Sequence, residues 1–314
     1  MARSQAHAER NDVIRAGMTS LETALSATVP TKDTVASETA RLGSPVKTEE
    51  IPDSEGAKIH WIGDSSAPSV ILYFHGGGLG IPAMPGHVSF LVDTQQRLAK
   101  EGKKLSIAFV EYGLSPQHRF PTQYRQAVLA LKTVLQSGRK PSDVIVGGDS
   151  AGGNLAVAIL SATAHSHPGI PSLKLDAPLK GALLVSPWID LSVGTSKSWV
   201  ENKDKDIVSA NIVDPLVNNL VSKDERNEFT DPARADSKWW SGVQVSSILT
   251  LAGTHELFFD DIVKFSQKLK AGGLNEELVE CPQQVHIDCF LDAQSGLEHG
   301  TMSHAIWDWL KKLL

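Results

Sequence analysis

The chain has 314 residues, of which 41% are hydrophobic and 21% are charged, a composition that fits one large globular domain or two small ones. Its 36 acidic and 30 basic side chains give a formal net charge of −6, which argues against a nucleic-acid-binding surface. Two cysteines, Cys281 and Cys289, are too few for a disulfide framework, and no apolar run has the length of a signal-peptide core or a membrane span. We therefore expect a cytoplasmic protein with no nucleic-acid partner and no membrane-spanning segment, while the oligomeric state stays open.

The first fifty residues are polar and carry one apolar stripe. Its members recur at roughly helical spacing: Val13, Ile14, Met18, Leu21 and Leu25. The spacing predicts a helix that packs this stripe against the body of the protein. We interpret residues 1–50 as an N-terminal cap segment.

The rest of the chain alternates short apolar runs with helical stretches. Strands are predicted at 57–63, 69–75, 104–112, 143–148, 180–188, 246–253 and 276–281. Helices are predicted at 124–136, at 150–165, around Asp260–Lys270 and around His304–Leu313. This alternation is typical of an α/β fold, with a mostly parallel central sheet flanked by helices.

A long charged stretch at about 191–245 interrupts the alternation. It contains D-I-V-S-A-N-I-V-D-P-L-V-N-N-L-V, which predicts one or two helices. A connection of this length carries structure or function of its own. We interpret it as an insertion into a catalytic domain at 51–314 that forms, with the N-terminal segment, a helical cap over the carboxyl edge of the sheet.

The sequence G-D-S-A-G centres on Ser150, between an apolar strand and a helix-forming stretch. A G-x-S-x-G pentapeptide in this context predicts a sharp strand-to-helix turn that exposes a nucleophilic serine hydroxyl. Upstream, H-G-G-G follows the buried strand at 69–75, and three bare backbone residues can bring N–H groups close to a substrate oxygen. Together these two features predict a serine nucleophile next to an oxyanion-binding loop.

These motifs resemble those of the hormone-sensitive-lipase-like esterases. E-Y-G-L-S-P-Q-H-R-F-P at 111–121 and S-P-W-I-D-L-S at 186–192 are also similar to motifs of that family. The resemblance implies an α/β-hydrolase fold in which the backbone N–H groups of Gly77, Gly78 and Ala151 bind the oxyanion. Two positions depart from the family pattern: Gly113 replaces an arginine, and Leu79 replaces an aromatic residue that would shape the acyl pocket.

The catalytic acid is expected just after a late strand, because the chain order on this fold is serine, acid, histidine. The strand at 246–253 is followed by T-H-E-L-F-F-D-D, which offers Glu256, Asp260 and Asp261. Glu256 is nearest the strand end, and the resemblance places the acid there as well. The two aspartates are interpreted as residues that cap the following helix.

Three histidines lie downstream of the acid: His286, His299 and His304. His286 follows the strand at 276–281 by a short loop and matches the family's histidine position, although H-I-D stands where the family has H-G-F. His299 is the alternative. We therefore predict a triad of Ser150, Glu256 and His286.

Further residues are candidates for the substrate pocket. They are Leu79 and His87 near the glycine loop, and the insertion residues Trp199, Trp239 and Trp240. The remaining histidines have no metal-ligand spacing, and no dinucleotide or phosphate-binding fingerprint occurs. We expect no metal and no cofactor.

The expected activity is hydrolysis of short-to-medium acyl esters, such as acetyl esters, of a small molecule through an acyl-enzyme. The N-terminal and cap segments also resemble fungal secondary-metabolite esterases of the versiconal hemiacetal acetate esterase type. The same triad leaves an amidase or formamidase and an acyltransferase open. A non-catalytic ligand receptor is disfavoured, because that class typically loses the histidine.

Overall fold

The protein is described by a computed structural model that covers residues 3–192, 194 and 196–314. Its centre is an eight-stranded sheet with the order β1-β2-β4-β3-β5-β6-β7-β8. The strands are β1 (Val46–Glu50), β2 (Lys58–Ile62), β3 (Ser69–Phe74), β4 (Leu105–Glu111), β5 (Val144–Asp149), β6 (Gly181–Val185), β7 (Ile248–Gly253) and β8 (Glu276–Cys281).

The sheet is mostly parallel, as the sequence predicted. Only β2 runs antiparallel to its neighbours β1 and β4, and all other neighbouring strands are parallel. The central strands β3, β5, β6 and β7 are buried at every residue, which explains their uninterrupted apolar sequences. Strand β1 escaped prediction because its sequence V-K-T-E-E is polar and mostly exposed at the sheet edge, so this part of the segment 1–50 belongs to the sheet.

Eleven α-helices are present in the described part of the chain. They are α1 (Gln5–Gly17), α2 (Leu21–Ser26), α3 (Thr31–Arg41), α4 (Pro85–Lys100), α5 (Thr122–Gln136), α6 (Ser150–Ala162), α7 (Lys197–Glu201), α8 (Ala210–Leu220), α9 (Phe259–Ala271), α10 (Asp288–Ser295) and α11 (Thr301–Leu313). Helices α4, α5, α6, α9 and α11 pack directly on strands of the sheet. None of the described helices is both long and apolar enough to cross a membrane.

The predicted N-terminal helix is wrong in its extent, and its apolar stripe is only partly buried. Helix α1 ends at Gly17, and α2 begins afresh after Ser20, whose hydroxyl accepts a hydrogen bond from the Thr23 N–H at 3.1 Å. The stripe residue Val13 is 73% exposed, whereas the residues that α1 buries are His7 and Arg10. Helix α1 therefore docks through the polar contacts of His7 and Arg10 as well as through Ile14, which is partly buried against the core, as are Met18 and Leu21 after the helix.

The insertion consists of a helical first part and a second part of short turns, most of which packs against α9. Its first part contains α7 and α8, the latter being the helix predicted from the apolar spacing, with Pro215 inside it. Its second part forms three short 3-10 turns, Lys223–Glu225, Pro232–Arg234 and Ser237–Trp240, of which the last two pack against α9.

Candidate active site

Ser150 occupies the sharp turn between β5 and α6. It has φ +50°, a left-handed backbone conformation that is strained for a serine, and it is 8% exposed. A Cβ at Gly152 would lie 2.0 Å from the Phe74 carbonyl oxygen, and one at Gly148 would lie 2.3 Å from the Gly152 carbonyl carbon. The turn therefore requires glycine on both sides of the serine, which is the physical basis of the predicted motif.

The H-G-G-G loop lies against this turn. Gly77 and Gly78 have φ +103° and +60°, and a Cβ at Gly76 would lie 3.0 Å from the Ser150 Cβ. Ala151 stands in the first turn of α6, where backbone N–H groups have no partner within the helix. The structure thus places the glycine loop against the serine turn, with Gly76 at the point of closest approach.

Asp149, which the sequence analysis did not single out, ties the loop to the serine turn. Its buried carboxylate accepts hydrogen bonds from the Gly76 N–H at 3.0 Å, from the Tyr73 hydroxyl at 3.0 Å and from His87 Nε2 at 3.1 Å. Burial opposes its ionisation, but the neighbouring His87 and the hydrogen bonds hold the pKa of Asp149 below its ordinary value. The sequence did contain a signal for Asp149, because it is an ionisable residue at the end of an otherwise apolar strand.

Glu256 and His286 form a buried pair at the ends of β7 and β8. Glu256 Oε2 lies 2.8 Å from His286 Nδ1, and Glu256 Oε1 accepts the Gly253 N–H at 2.5 Å. Because the carboxylate is an acceptor, His286 carries its proton on Nδ1, which leaves Nε2 free to accept a proton. Burial lowers the pKa of His286, but the hydrogen bond and charge of Glu256 outweigh it and raise the pKa above its ordinary value.

The S-P-W segment joins the loops that carry Ser150, Glu256 and His286. The Ser186 hydroxyl donates to Glu256 Oε1 at 3.2 Å and accepts the Ile287 N–H at 3.2 Å. Two residues further on, the Trp188 N–H donates to the Ser150 carbonyl oxygen at 2.8 Å. This segment therefore sets the acid, the histidine and the serine relative to one another.

No hydrogen bond joins Ser150 Oγ to His286 among the described residues, so the pair Glu256–His286 is formed but its contact to the serine is not. In enzymes without substrate such contacts are often long and shorten when substrate binds. The ring of Phe258 stands perpendicular to His286, with centroids 5.1 Å apart, and restricts how far the imidazole can turn.

The alternative acids and histidines lie in other contacts. Asp260 and Asp261 lie in the first turn of α9, where acidic side chains are favourable, without making a cap hydrogen bond to it. Their side chains hold the N-terminal end of α7: Asp260 Oδ2 accepts the Ser198 N–H at 2.8 Å, and Asp261 accepts the Ser196 hydroxyl. His299 Nδ1 bonds the Ser303 hydroxyl at 2.9 Å, and His304 packs edge-on to Trp307. None of the four contacts Glu256 or His286.

The pocket candidates near the glycine loop are buried. His87 is bound to Asp149 and to the Met84 N–H, which places it beneath the serine turn and not on a surface open to substrate. Leu79 is 1% exposed and belongs to the core, and its carbonyl oxygen accepts the Ser115 N–H. The residue that approaches the oxyanion loop is Leu216 of α8, because a Cβ at Gly78 would lie 2.3 Å from its Cδ1.

Two of the tryptophan candidates do not line the site. Trp239 stacks on His165 and donates to the Ser161 hydroxyl at the far end of α6, about 16 Å along the helix from Ser150. Trp240 packs edge-on to Phe265 and is fully buried. Both belong to the second part of the insertion, which runs away from the catalytic edge. Trp199 does lie near the site, in perpendicular contact with the Phe258 ring that faces His286.

The departure from the H-G-F pattern has a structural role. In H-I-D the aspartate is Asp288, whose buried carboxylate is paired with Arg10 of α1 and, at 2.9 Å, with Arg3. Both arginines also pair with Asp292, one turn later in α10. The residues after the histidine thus anchor the N-terminal helix. Among the described residues no group of three or more His, Cys, Asp or Glu side chains is arranged to hold a metal.

Comparisons with known proteins agree with this fold. An acetyl-hydrolase from Streptomyces hygroscopicus is 26% identical over 220 residues, which are 69% of this chain and 67% of that protein. Carboxylesterase NlhH from Mycobacterium tuberculosis is 29% identical over 229 residues, 69% of this chain and 65% of that protein. The alignments therefore span about two thirds of the length of these relatives.

The fold is also found in solved structures. The esterase EstE5, whose crystals were soaked with p-nitrophenyl butyrate, superposes with a TM-score of 0.75 at 21% identity over 99% of both chains. The family described as alpha/beta hydrolase fold matches residues 71–291, which is more than two thirds of the sequence. The chain belongs to the α/β-hydrolase fold family.

Proposed function

We propose that the protein is a serine carboxylesterase with Ser150 as nucleophile, His286 as base and Glu256 as the acid that orients it. The observation that carries the proposal is the buried contact of 2.8 Å between Glu256 and His286 at the strand ends next to a strained serine turn. Strain and burial of charge at one place are costly, and they persist where function requires them. The names of the relatives, an acetyl-hydrolase and a carboxylesterase, support the same reaction class.

In the proposed acylation step, Ser150 Oγ attacks the ester carbonyl carbon while its proton passes to His286 Nε2. The backbone N–H groups of Gly77, Gly78 and Ala151 donate to the carbonyl oxygen as it becomes an oxyanion. Glu256 stabilises the imidazolium without taking its proton. The same proton then moves to the departing alkoxide, so that an alcohol leaves and an acyl-serine remains.

In deacylation a water molecule replaces the alcohol. His286 Nε2 takes a proton from the water as its oxygen attacks the acyl carbon. The tetrahedral intermediate then collapses to a carboxylic acid while the imidazolium returns the proton to Ser150 Oγ. All protons are accounted for by one imidazole.

Short acyl groups, acetyl above all, are the proposed substrates. Leu216 of α8 lies against the oxyanion loop at Gly78, so that the room beside the carbonyl position is limited by an apolar side chain. An acetyl ester of a secondary metabolite, as in the fungal esterases that the N-terminal and cap segments resemble, is the finer form of this proposal. The proposed cap consists of α1 to α3 and of the first part of the insertion, over a catalytic domain that includes β1.

The test is hydrolysis of p-nitrophenyl esters from acetate to dodecanoate, with acetanilides as amide counterparts. We expect the highest kcat/KM on the shortest chains and a loss of roughly 10⁶-fold in kcat for Ser150→Ala. Glu256→Gln should cost about 10⁴-fold, because the amide stabilises the wrong tautomer. Asp260→Asn and His304→Gln are the matched controls and should retain near wild-type turnover.

Faster turnover of amides than of the matched esters would replace the esterase by an amidase. If Asp260→Asn rather than Glu256→Gln abolished turnover, the assignment of the acid would be wrong. A folded protein that turns over none of these esters would contradict the proposed activity.

A further inference from the structure

The insertion contains a turn that reaches into the catalytic centre. It lies between α7 and α8, and its last residue, Asp206, is fully buried. Asp206 Oδ1 accepts the backbone N–H of His286 at 3.0 Å, and Asp206 Oδ2 accepts the N–H of Leu257, the residue after Glu256, at 2.8 Å. One carboxylate therefore joins the loop that carries the catalytic acid to the loop that carries the catalytic histidine.

A second residue of the turn supports this bridge. Asn202 Nδ2 donates to the carbonyl oxygens of Thr254 and Glu256, both at 3.0 Å. The carbonyl oxygen of Asn202 in turn accepts the Asp206 N–H at 2.9 Å and so closes the turn. The turn from Asn202 to Asp206 thus forms hydrogen bonds with both N–H and carbonyl groups of the loop that carries Glu256.

The outer side of the turn is held by the N-terminal helix. Arg15 of α1 donates through Nε to the Asp206 carbonyl oxygen at 2.9 Å and through Nη2 to that of Lys205 at 3.0 Å. Four parts of the chain that are distant in sequence, at residues 15, 206, 257 and 286, are joined in this way.

Three carboxylates act on His286 through their charge: Glu256, Asp206 and Asp149. Together they raise the pKa of His286 against the effect of burial. Burial, with the charge of Glu256, raises the pKa of Asp206 to about 6, while His286 and the two backbone N–H groups oppose this rise. The charge state of Asp206 is thus linked to that of the base.

We propose that Asp206 is a positioning residue of the triad: it fixes the loops of Glu256 and His286 relative to each other, and its charge stabilises the imidazolium that forms during ester cleavage. The second clause rests on the proposed function, and the first concerns the geometry alone. Asp206 touches neither the substrate nor Ser150 in this role and acts through His286.

The variant Asp206→Asn tests both clauses, since it keeps the shape of the side chain and removes its charge. An amide can accept only one of the two N–H groups, so that the other is left buried without an acceptor. We expect kcat to fall roughly 10- to 100-fold with KM nearly unchanged. The acid limb of the pH profile should move to lower pH, because His286 loses a charge that raises its pKa. Asp204→Asn, two residues earlier and exposed, is the matched control and should change neither quantity.

Two readings by NMR keep the test independent of turnover. In the wild-type protein the backbone amides of Leu257 and His286 should titrate with the Asp206 carboxylate, with a common midpoint near 6. In Asp206→Asn this step should vanish, and the imidazole of His286 should titrate at lower pH than in the wild type. If the variant does not fold, the wild-type amide titration still tests the first clause, that one carboxylate joins the two loops.

The inference is overturned if the two amides show no common step that disappears in Asp206→Asn. It is also overturned if kcat falls in Asp206→Asn while the titration of His286 and the acid limb stay where they were, since that is the signature of a merely structural residue. A wild-type protein that cleaves no ester but shows the amide and imidazole shifts would refute the proposed function and leave the positioning role intact.

Discussion

The substitution Arg10→Met would break the buried ion pairs that dock helix α1. The Arg10 guanidinium lies between Asp288 and Asp292, and its side chain is 6% exposed while the two carboxylates are at most 1% exposed. Methionine keeps much of the apolar stem but removes the charge, which leaves two carboxylates in a site from which water is excluded.

Removal of one partner from a buried ion pair typically destabilises a protein by about 3–5 kcal/mol, because the remaining charge is uncompensated. Arg3 still pairs with both carboxylates in the variant, which places the expected loss near the lower end, about 3 kcal/mol. Arg41→Met is the matched control. The Arg41 side chain is 58% exposed in its pair with Glu38, so its loss should cost less than about 1 kcal/mol.

The deficit of Arg10→Met should depend on pH in a definite direction. Burial already raises the pKa of Asp288, and Arg10 is the group that most opposes this rise. Without Arg10 the pKa rises further. A carboxyl group whose pKa is raised by folding contributes stability while it is protonated and loses that contribution as the pH rises through the folded pKa. The stability deficit should therefore be smaller at pH 5 than at pH 8.

Urea denaturation of the wild type and both variants at these two pH values measures the effect. A deficit of Arg10→Met that equals that of Arg41→Met would refute the argument, because the buried cluster would then behave as an exposed pair. A deficit that grows as the pH falls would refute the assigned sign.

Two further substitutions probe the serine turn and its support. Ser186→Ala removes the hydroxyl that lies between Glu256 and the Ile287 N–H. With p-nitrophenyl acetate as substrate, kcat should fall roughly tenfold while KM stays unchanged. An unchanged kcat would mean that this hydroxyl does not orient Glu256. Gly152→Ala would force its Cβ into the Phe74 carbonyl of β3, which cannot move as a flexible side chain would. We therefore expect a loss of about 1–3 kcal/mol in the free energy of unfolding, together with loss of most of the activity. An active variant of wild-type stability would show that the close approach is not required.

Much of the fold could be predicted because its signals are local. The apolar strands β3, β5, β6 and β7 are buried on both faces, and such runs differ visibly from the helical stretches between them. Strand β1 has no such signal, since its pairing with β2 comes from backbone hydrogen bonds that a polar sequence satisfies equally well. The N-terminal stripe misled the prediction in part, because Ile14, Met18 and Leu21 pack against the core whereas Val13 and Leu25 are exposed.

The candidate site also contains residues that the sequence predicts and residues that it does not. Ser150 and the glycine loop could be found because the turn itself demands glycines at fixed spacing, and Glu256 and His286 follow the ends of recognisable strands. Asp206 could not be found, because it contacts residues 51 and 80 positions away through backbone N–H groups, which carry no sequence signal. Trp239 and Trp240 illustrate the converse error: aromatic residues in an insertion suggest a pocket, but theirs is core packing.

The position of the arginines on α1 limits how substrate can enter. Arg10 neutralises the carboxylate of Asp288, two residues after the catalytic histidine, and Arg15 holds the turn of Asp206. A movement that lifted α1 from the body would separate buried ion pairs and at the same time release the turn of Asp206, whose carboxylate accepts the His286 N–H. Helices α2 and α8 pack against each other, and Leu216 of α8 lies against the glycine loop at Gly78. Among the described residues neither helix forms an ion pair with the loops of Glu256 and His286. If the cap moves when substrate reaches Ser150, we expect the movement to displace α8, whose Leu216 lies against the loop at Gly78, while α1 stays docked.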